Sequence, residues 1–349
     1  MEVSKEPLGR SKIHTADGIR GLAVLIVIIY HAFGNIMVSK GAYSSRTGIF
    51  GVMIFFVLSS FLLSNKFMFK GFGFKELISY FLGRFIRIIP LFLVASVAYY
   101  KLGLIDLDKM VSVILFKSNY AHLWTIPIEF KFYFVLPIII YACCKVEKSL
   151  GRWFVFVLLL IFSSLSNVDA LANTGFIDSS WTPVFLMGIA VCYLYKYNFL
   201  KLNSVLNDVA ILLCILIMIF LTPAMQFYFF GYRLQFTGEV IILWGAVTSI
   251  FCFLSINGAG LSERIYTSRF LTLIGKWSFS IYLFHWAVIM ICAGYKKDDL
   301  SIFIFSVVQS IGIGAVIYYV IEAPLEDFRH GFVNSIFNLR KHHSKQSQK

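Results

Sequence analysis

Asp17-Gly-Ile-Arg-Gly-Leu-Ala-Val-Leu-Ile-Val-Ile-Ile-Tyr-His31 is an almost unbroken apolar run that carries two basic residues, Arg20 and His31. On an α-helix the step from Arg20 to His31 makes three turns plus about 20°, so both side chains share one face. The rise is about 16 Å, roughly half of a ~30 Å hydrocarbon core. A membrane helix that enters at Arg20 therefore carries His31 to mid-membrane, where ionisable groups are costly and usually functional.

The rest of the chain is equally apolar. Of its 349 residues 59% are hydrophobic and only 14% are charged, whereas soluble proteins carry about 25% charged residues. The excess apolar surface must face lipid, and no β-barrel alternation appears, so the composition predicts an all-α, polytopic membrane helix bundle. The net charge of +13 is typical of basic helix ends on one side of a membrane, so we expect membrane lipids rather than nucleic acid as partners.

About ten stretches are apolar and long enough to span a membrane: 19–38, 48–65, 88–104, 125–144, 153–169, 181–195, 207–223, 237–255, 273–293 and 301–321. With both termini inside, 21 of the 31 Lys and Arg residues fall on inner segments and 8 on outer loops. This asymmetry predicts cytoplasmic termini and puts Arg20 near the cytoplasmic face. We expect one transmembrane domain over 1–349, with 330–349 as a cytoplasmic basic tail. The six cysteines have no metal-ligand spacing, so no metal is expected.

Asp17, Arg20 and His31 form the first group that could carry chemistry. Asp17 and Arg20 are i, i+3 neighbours and can form an ion pair. Histidine exchanges a proton near neutral pH, which suits a catalytic base. The plainer alternative is an arginine that snorkels to the membrane surface and a histidine that is hydrogen-bonded within the bundle.

Arg84-Phe-Ile-Arg87 is the second group. Two guanidinium groups one helical turn apart, at the cytoplasmic end of a helix, can grip phosphate in bidentate fashion. Ordinary anchoring at the membrane surface, or binding of lipid head groups, explains the same pair equally well.

The third group is Trp124-Thr-Ile-Pro-Ile-Glu129-Phe-Lys131-Phe-Tyr133. Tyr133 follows Glu129 at i+4 on the same helix face. A glutamate within a membrane span needs a partner. Glu129 could orient a substrate hydroxyl, transfer a proton or pair with Lys131, and Trp124 reads equally well as an interfacial aromatic residue.

The fourth group is Ser278-Phe-Ser-Ile-Tyr-Leu-Phe-His285-Trp286. His285 lies deep in the ninth apolar stretch, where a packed structural histidine is the plainer interpretation. The last apolar stretch is followed by Glu322-Ala-Pro324, which predicts the end of its helix.

These four groups, in this order, resemble the membrane-bound acyltransferase 3 family. That family opens its first helix with Asp-Gly-x-Arg-Gly and places a histidine eleven residues after the arginine, as Arg20 and His31 do. Arg84 and Arg87 match its Arg-x-x-Arg motif. His122-Leu-Trp124 through Tyr133 matches its Trp…Glu…Phe-Tyr segment, and Ser280 through Trp286 its late Tyr-Leu-x-His-x run. Ser60 stands where the family usually has glycine, a departure that we expect to affect packing more than chemistry.

The resemblance implies an O-acyltransferase that uses cytoplasmic acyl-CoA, in particular acetyl-CoA. Many members carry an extra extracytoplasmic domain for which this chain has no room. The resemblance therefore implies the single-domain branch, which acetylates lipid-linked or nascent glycans such as lipopolysaccharide O-antigen or exopolysaccharide, in the bacterial inner membrane. The implied catalytic residues are Asp17, Arg20, His31 and Glu129. Arg84 and Arg87 are the implied donor-binding residues, and Trp124, Tyr133 and His285 the implied substrate-binding residues.

Direct acyl transfer with His31 as the base and a covalent acyl-histidine route are both compatible with these residues. A transporter or flippase for a glycan or lipid intermediate is the main alternative function, since intramembrane His, Arg and Glu also mark transport paths. Paired broken helices in matching halves, which favour a transporter, are missing from the pattern. A polysaccharide polymerase is less consistent with the short outer loop at 105–124.

Overall fold

The computed structural model describes residues 13–41, 47–165, 181–200, 202–231, 237–329 and 331–333. Every regular element in these ranges is helical, which confirms the prediction of an all-α protein. The helices are α1 (Ala16–Ile36), α2 (Val38–Gly41), α3 (Ile49–Lys70), α4 (Phe74–Lys101), α5 (Leu107–Ile114), α6 (Thr125–Leu150), α7 (Arg152–Leu165), α8 (Thr182–Lys196), α9 (Ser204–Phe220), α10 (Pro223–Phe230), α11 (Gly238–Ile256), α12 (Leu261–Tyr266), α13 (Arg269–Ala293) and α14 (Leu300–Ile317).

Two irregular turns extend this set. A 3₁₀ turn over Ala121–Trp124 leads into α6. A π-helical turn over Tyr318–Glu322 follows α14, and the chain then stays helical as far as Arg329. The prediction that the last helix ends at Glu322-Ala-Pro324 is therefore wrong. Pro324 lies in the first helical turn after the π turn. The π turn changes the hydrogen-bond register of the helix, so a residue without an N–H is tolerated there.

Each of the ten apolar stretches falls on a helix, although residues 166–169 of the fifth lie outside the described ranges. Among the described residues seven helices are long and apolar enough to cross a membrane, or eight if α9 and α10, which meet at 69°, form one broken span. α7 and α8 are shorter, with 14 and 15 residues. Large apolar side chains such as Leu212 and Leu216 on α9, and Phe305 and Val308 on α14, are exposed. These faces suit lipid, so the polytopic membrane bundle is confirmed.

The helix pair α1 and α13 forms the centre of the bundle and carries both predicted histidines. The two helices run parallel, with Gly21 beside Leu271 and His31 beside His285, while Gly18 lies beside Tyr266 at the end of α12. A Cβ atom on Gly18 would lie 1.8 Å from the Tyr266 carbonyl oxygen, and one on Gly275 would lie 1.7 Å from that of Asp17. Only glycine permits so close a backbone approach, as is common between membrane helices.

A second close contact joins α3 to α8. A Cβ atom on Gly188 would lie 2.8 Å from the Ser60 Cβ and 2.7 Å from the Val57 carbonyl oxygen. The buried Ser60 hydroxyl donates a 2.6 Å hydrogen bond to the carbonyl of Phe185. Ser60 thus acts on helix packing, as the sequence comparison with the family predicted, and holds α3 against the bundle.

α4 begins much earlier than the sequence predicted. The apolar stretch starts at residue 88, but the helix starts at Phe74. The prediction that Arg84 and Arg87 lie at a helix end is therefore wrong, because they lie in the middle of a continuous 28-residue helix. Hydropathy alone missed the first part of α4, because charged residues such as Lys75 and Glu76 interrupt its apolar pattern.

Candidate active site

A cavity among α1, α3, α4, α6 and α13 brings together most of the predicted polar residues. Its empty volume is about 640 Å³, including the space open toward its mouth. Its polar lining consists of three arginines, one glutamate and five side chains with a hydroxyl group. These residues are Arg20, Arg84, Arg87, Glu129, Tyr133, Ser59, Thr125, Ser278 and Tyr282. Residues as far apart in the sequence as Arg20 and Tyr282 therefore face one space.

Arg20 contributes from the first helix. Its guanidinium Nη1 lies 3.7 Å from the Asp17 carboxylate Oδ1, so the predicted i, i+3 pair forms. Both side chains are partly exposed, which makes the pair an orienting contact rather than a large source of stability.

Arg84 and Arg87 enter the cavity from α4 but have different partners. The Arg84 guanidinium lies over the Tyr133 ring, 5.7 Å from its centroid. Arg87 Nη1 lies 3.7 Å from the Glu326 carboxylate, which also lies 3.7 Å from Arg329. Arg87 is thus tethered to the helix that follows the π turn, whereas Arg84 rests on an aromatic face.

The same π turn buries an acid. Glu322 is only 4% exposed and accepts a 2.5 Å hydrogen bond from the Ser280 hydroxyl of α13. The π turn and the helix after it thus contact α13 through Ser280 and α4 through Arg87.

Glu129 is held by two hydroxyl groups. The Ser59 hydroxyl donates to its Oε1 at 2.8 Å, and the Tyr133 hydroxyl donates to the same oxygen. The Tyr80 hydroxyl in turn donates to the Tyr133 carbonyl at 2.9 Å. These contacts satisfy the predicted need of an intramembrane glutamate for partners and fix its carboxylate at the cavity wall.

His31 and His285 are in direct contact. His31 Nδ1 lies 2.8 Å from His285 Nε2, and the two rings are nearly parallel. His285 is fully buried, and its Nδ1 lies 2.7 Å from the Tyr282 carbonyl oxygen. A carbonyl only accepts, so His285 Nδ1 carries a proton. When both rings are neutral, His285 Nε2 therefore accepts the hydrogen bond that His31 Nδ1 donates. His31 Nε2 then carries no proton and keeps a free lone pair.

A third histidine, His122, completes this group. Its ring centroid lies 4.5 Å from that of His285 and 6.4 Å from that of His31. His122 is 3% exposed, and neither ring nitrogen makes a hydrogen bond. Such buried orphan groups are uncommon and call for an explanation. His122 was quoted in a motif but not predicted as a site residue, and its position two residues before Trp124 in that motif was the available signal.

Tyr282 borders both the cavity and the histidine group. Its hydroxyl is 2.8 Å from the Thr125 hydroxyl and donates a 2.8 Å hydrogen bond to the His122 carbonyl. Tyr282 lines the cavity, and its ring centroid lies 5.1 Å from that of His122.

This chain matches the model of the acyltransferase domain over residues 13–319. The chain belongs to the acyltransferase 3 family. The match covers every group described above up to the π turn, so His31, the Arg84/Arg87 pair and Glu129 all lie within the family's own domain.

Among curated proteins, this acyltransferase 3 chain is similar to O-acetyltransferases of Staphylococcus aureus. A putative O-acetyltransferase of strain COL is 24% identical over 88% of this chain and 56% of its own length. The O-acetyltransferase OatA of strain NCTC 8325 / PS 47 is 23% identical over 93% of this chain and 58% of its own length. The chain thus spans little more than half the length of these relatives. No solved structure matches it.

Two of the three residues predicted to bind substrate in this acyltransferase 3 chain do not line the cavity. Trp124 packs against Trp181, with ring centroids 4.8 Å apart. His285 is enclosed by His31, His122 and Tyr282. Their substrate-binding roles stay predictions, and the geometry gives His285 a clear contact with His31 instead.

Proposed function

We propose that this chain is an integral membrane O-acetyltransferase that moves an acetyl group from cytoplasmic acetyl-CoA to a hydroxyl group of a surface or secreted glycan. The observation that carries the proposal is the hydrogen bond between His31 and His285. It leaves a lone pair on His31 Nε2, one tyrosine away from a cavity lined by three arginines.

His31 acts as the general base in this proposal. Its Nε2 accepts the proton of the glycan hydroxyl, whose oxygen attacks the thioester carbonyl. The C–O ester bond forms, the C–S bond breaks, and the proton passes to the departing thiolate. A route through an acyl-histidine uses the same nitrogen as the nucleophile. In either route His285 orients the ring of His31.

The arginines hold the donor. CoA carries a pyrophosphate and a ribose phosphate, and guanidinium groups bind phosphate in bidentate fashion. Arg84 and Arg87 grip the phosphates, while Arg20, oriented by Asp17, binds the end nearest the thioester. Glu129, held by Ser59 and Tyr133, orients polar groups of the pantetheine arm or of the acceptor.

The proposed topology is a bacterial inner-membrane protein with cytoplasmic termini. The 21-to-8 asymmetry of basic residues supports it, as does the parallel course of α1 and α13, which were predicted as first and ninth spans. Reporter fusions after Lys349 and in the segment between α2 and α3 test it. They should report opposite sides, and the same side for both would refute this topology.

The proposed acceptor is a lipid-linked or nascent glycan, with O-antigen and exopolysaccharide as the leading classes. We expect the acceptor to reach His31 from the extracytoplasmic side. The partial exposure of His31 supports this route, because the acceptor then does not have to pass through the arginine cavity. The similarity to O-acetyltransferases supports the acetyl group.

The decisive experiment compares glycan from cells that carry the wild-type gene, a deletion and the His31→Ala variant. NMR of the purified glycan should show O-acetyl signals only with the wild-type gene. Unchanged acetylation with reduced export would indicate a transporter instead, and altered chain length a polymerase.

A further inference from the structure

A second, strongly basic pocket lies beside the arginine cavity. Its empty volume is about 440 Å³ including its open side, and it is formed by the end of α3, the turn at Gly71 and the start of α4. Lys66, Lys70 and Lys75 line it together with one acid, Glu76. Phe67 and Tyr80, whose ring centroids are 4.8 Å apart, form its aromatic floor.

The residues of α3 and α4 that line the two pockets lie along one face of each helix, and we call these two faces together the α3–α4 stripe. On α3, Ser59, Lys66 and Lys70 are spaced i, i+7 and i+11, so they lie on one face over about 16 Å. On α4, Tyr80, Arg84 and Arg87 are spaced i, i+4 and i+7 and share a face likewise.

Direct contacts also join the two pockets. The Tyr80 hydroxyl on the basic pocket donates to the carbonyl of Tyr133 on the arginine cavity. Lys66 is near enough to Arg84 and Arg329 for their charges to repel. A run of positive charge therefore leads from the arginine cavity out to Lys70.

Anchoring at the membrane surface accounts for lysines at helix ends, but not for three of them around a concave space with an aromatic floor. Such a space suits a phosphate attached to a flat, π-rich group, because ammonium groups bind the phosphate and an aromatic edge packs against the ring. CoA ends in such a group, an adenosine that carries a 3′-phosphate.

We propose that the Lys66/Lys70/Lys75 pocket is the subsite for the 3′-phosphate end of the CoA nucleotide. The proposal rests on the function proposed above: with the thioester directed toward Tyr282 and the pyrophosphate on Arg84 and Arg87, the nucleotide leaves the cavity along the α3–α4 stripe. A lipid phosphate offers the same chemistry, so the test must separate the two sources.

The test measures the binding of CoA and dephospho-CoA, which lacks the 3′-phosphate, by calorimetry on the purified full chain in phosphatidylcholine nanodiscs. Wild type should bind CoA roughly tenfold or more tighter than dephospho-CoA, since a charge-assisted contact is lost with the phosphate. The Lys66→Ala/Lys70→Ala/Lys75→Ala variant should bind both ligands alike, at the affinity of wild type for dephospho-CoA. The control Lys148→Ala, an exposed lysine at the end of α6, should keep the wild-type ratio. A normal melting temperature shows that each variant is folded.

The outcomes separate the two proposals. Failure of wild type to bind either ligand would refute the acetyl-CoA function and the subsite together. Binding with an affinity ratio near one in wild type, or an unchanged ratio in the triple variant, would refute the subsite alone. In a further outcome, the triple variant keeps the wild-type ratio of affinities for CoA and dephospho-CoA but no longer binds phosphatidylglycerol that is added to the nanodiscs. That result would identify a lipid head-group site and overturn the proposal.

Discussion

The site has two halves that differ in openness and in charge, and Tyr282 borders both of them. The arginine half is an open cavity with charged walls, in which Arg84 and Arg87 have loose partners at distances of 3.7 Å or more. The histidine half is closely packed, with rings 4.5–6.4 Å apart and one defined hydrogen bond of 2.8 Å. Open charged walls suit a flexible, anionic donor, whereas a fixed imidazole suits proton transfer, which depends on geometry.

Removing the base should have the largest effect. We expect His31→Ala to insert normally and to lose roughly 10²–10⁴-fold in acetyl transfer, the usual contribution of a positioned base. Glycan O-acetyl content and the rate of transfer from acetyl-CoA measure this. His14→Ala, at an exposed histidine just before α1, should behave as wild type. Full acetylation by a well-expressed His31→Ala protein would remove His31 from the mechanism and make Glu129 the candidate base.

Removing the arginine pair should act on donor affinity rather than on the chemical step. Arg84→Ala with Arg87→Ala loses two charge-assisted contacts of about 1.5–3 kcal/mol each, so apparent donor affinity should fall at least about a hundredfold. A lysine pair should rescue it only partly, because an ammonium group cannot copy a bidentate fork. Arg264→Ala with Arg269→Ala, at two exposed arginines, is the matched control. An unchanged KM for the donor in a folded double variant would contradict the role of the pair.

His285 tests whether the histidine half works as a unit. The sequence favoured a packing role, in which His285→Ala mainly lowers stability. The hydrogen bond to His31 predicts in addition a loss of transfer of roughly tenfold or more, because the tautomer of His31 is no longer held. In a His31→Ala background the same change should cost no further activity, since residues that act together are not additive. Additive losses in the double variant, with normal melting temperatures, would separate the two residues.

Tyr282 should give the smallest and most specific effect. Tyr282→Ala removes the ring between the halves, and we expect a few-fold rise in acetyl-CoA hydrolysis without acceptor, because water then reaches the thioester. Tyr282→Phe keeps the ring but loses the contacts to Thr125 and the His122 carbonyl, so it should lower the melting temperature with little hydrolysis. Equal hydrolysis in both variants would show that the hydroxyl, not the ring, separates the halves.

Local sequence determined the parts of this protein that depend on helical periodicity and hydropathy. Where the structure describes them, the ten apolar stretches fall on helices, because a backbone in lipid must satisfy its own hydrogen bonds. The shared face of Arg20 and His31, the Asp17–Arg20 pair and the Glu129–Tyr133 neighbours follow from steps of three, four and eleven residues along one helix. The start of α4 at Phe74 was missed because charged residues interrupt the apolar pattern there. The π turn before Pro324 was missed because a proline usually marks the end of a helix.

Only the tertiary structure decided which faces meet. His31 and His285 are 254 positions apart, and no local rule brings them, or His122, together. Their contact depends on the parallel approach of α1 and α13, which Gly21 and Gly275 allow because a Cβ at either of them would collide with the other helix. Periodicity sets the direction of a side chain on its own helix, whereas the partner that it reaches depends on backbone packing over the whole chain.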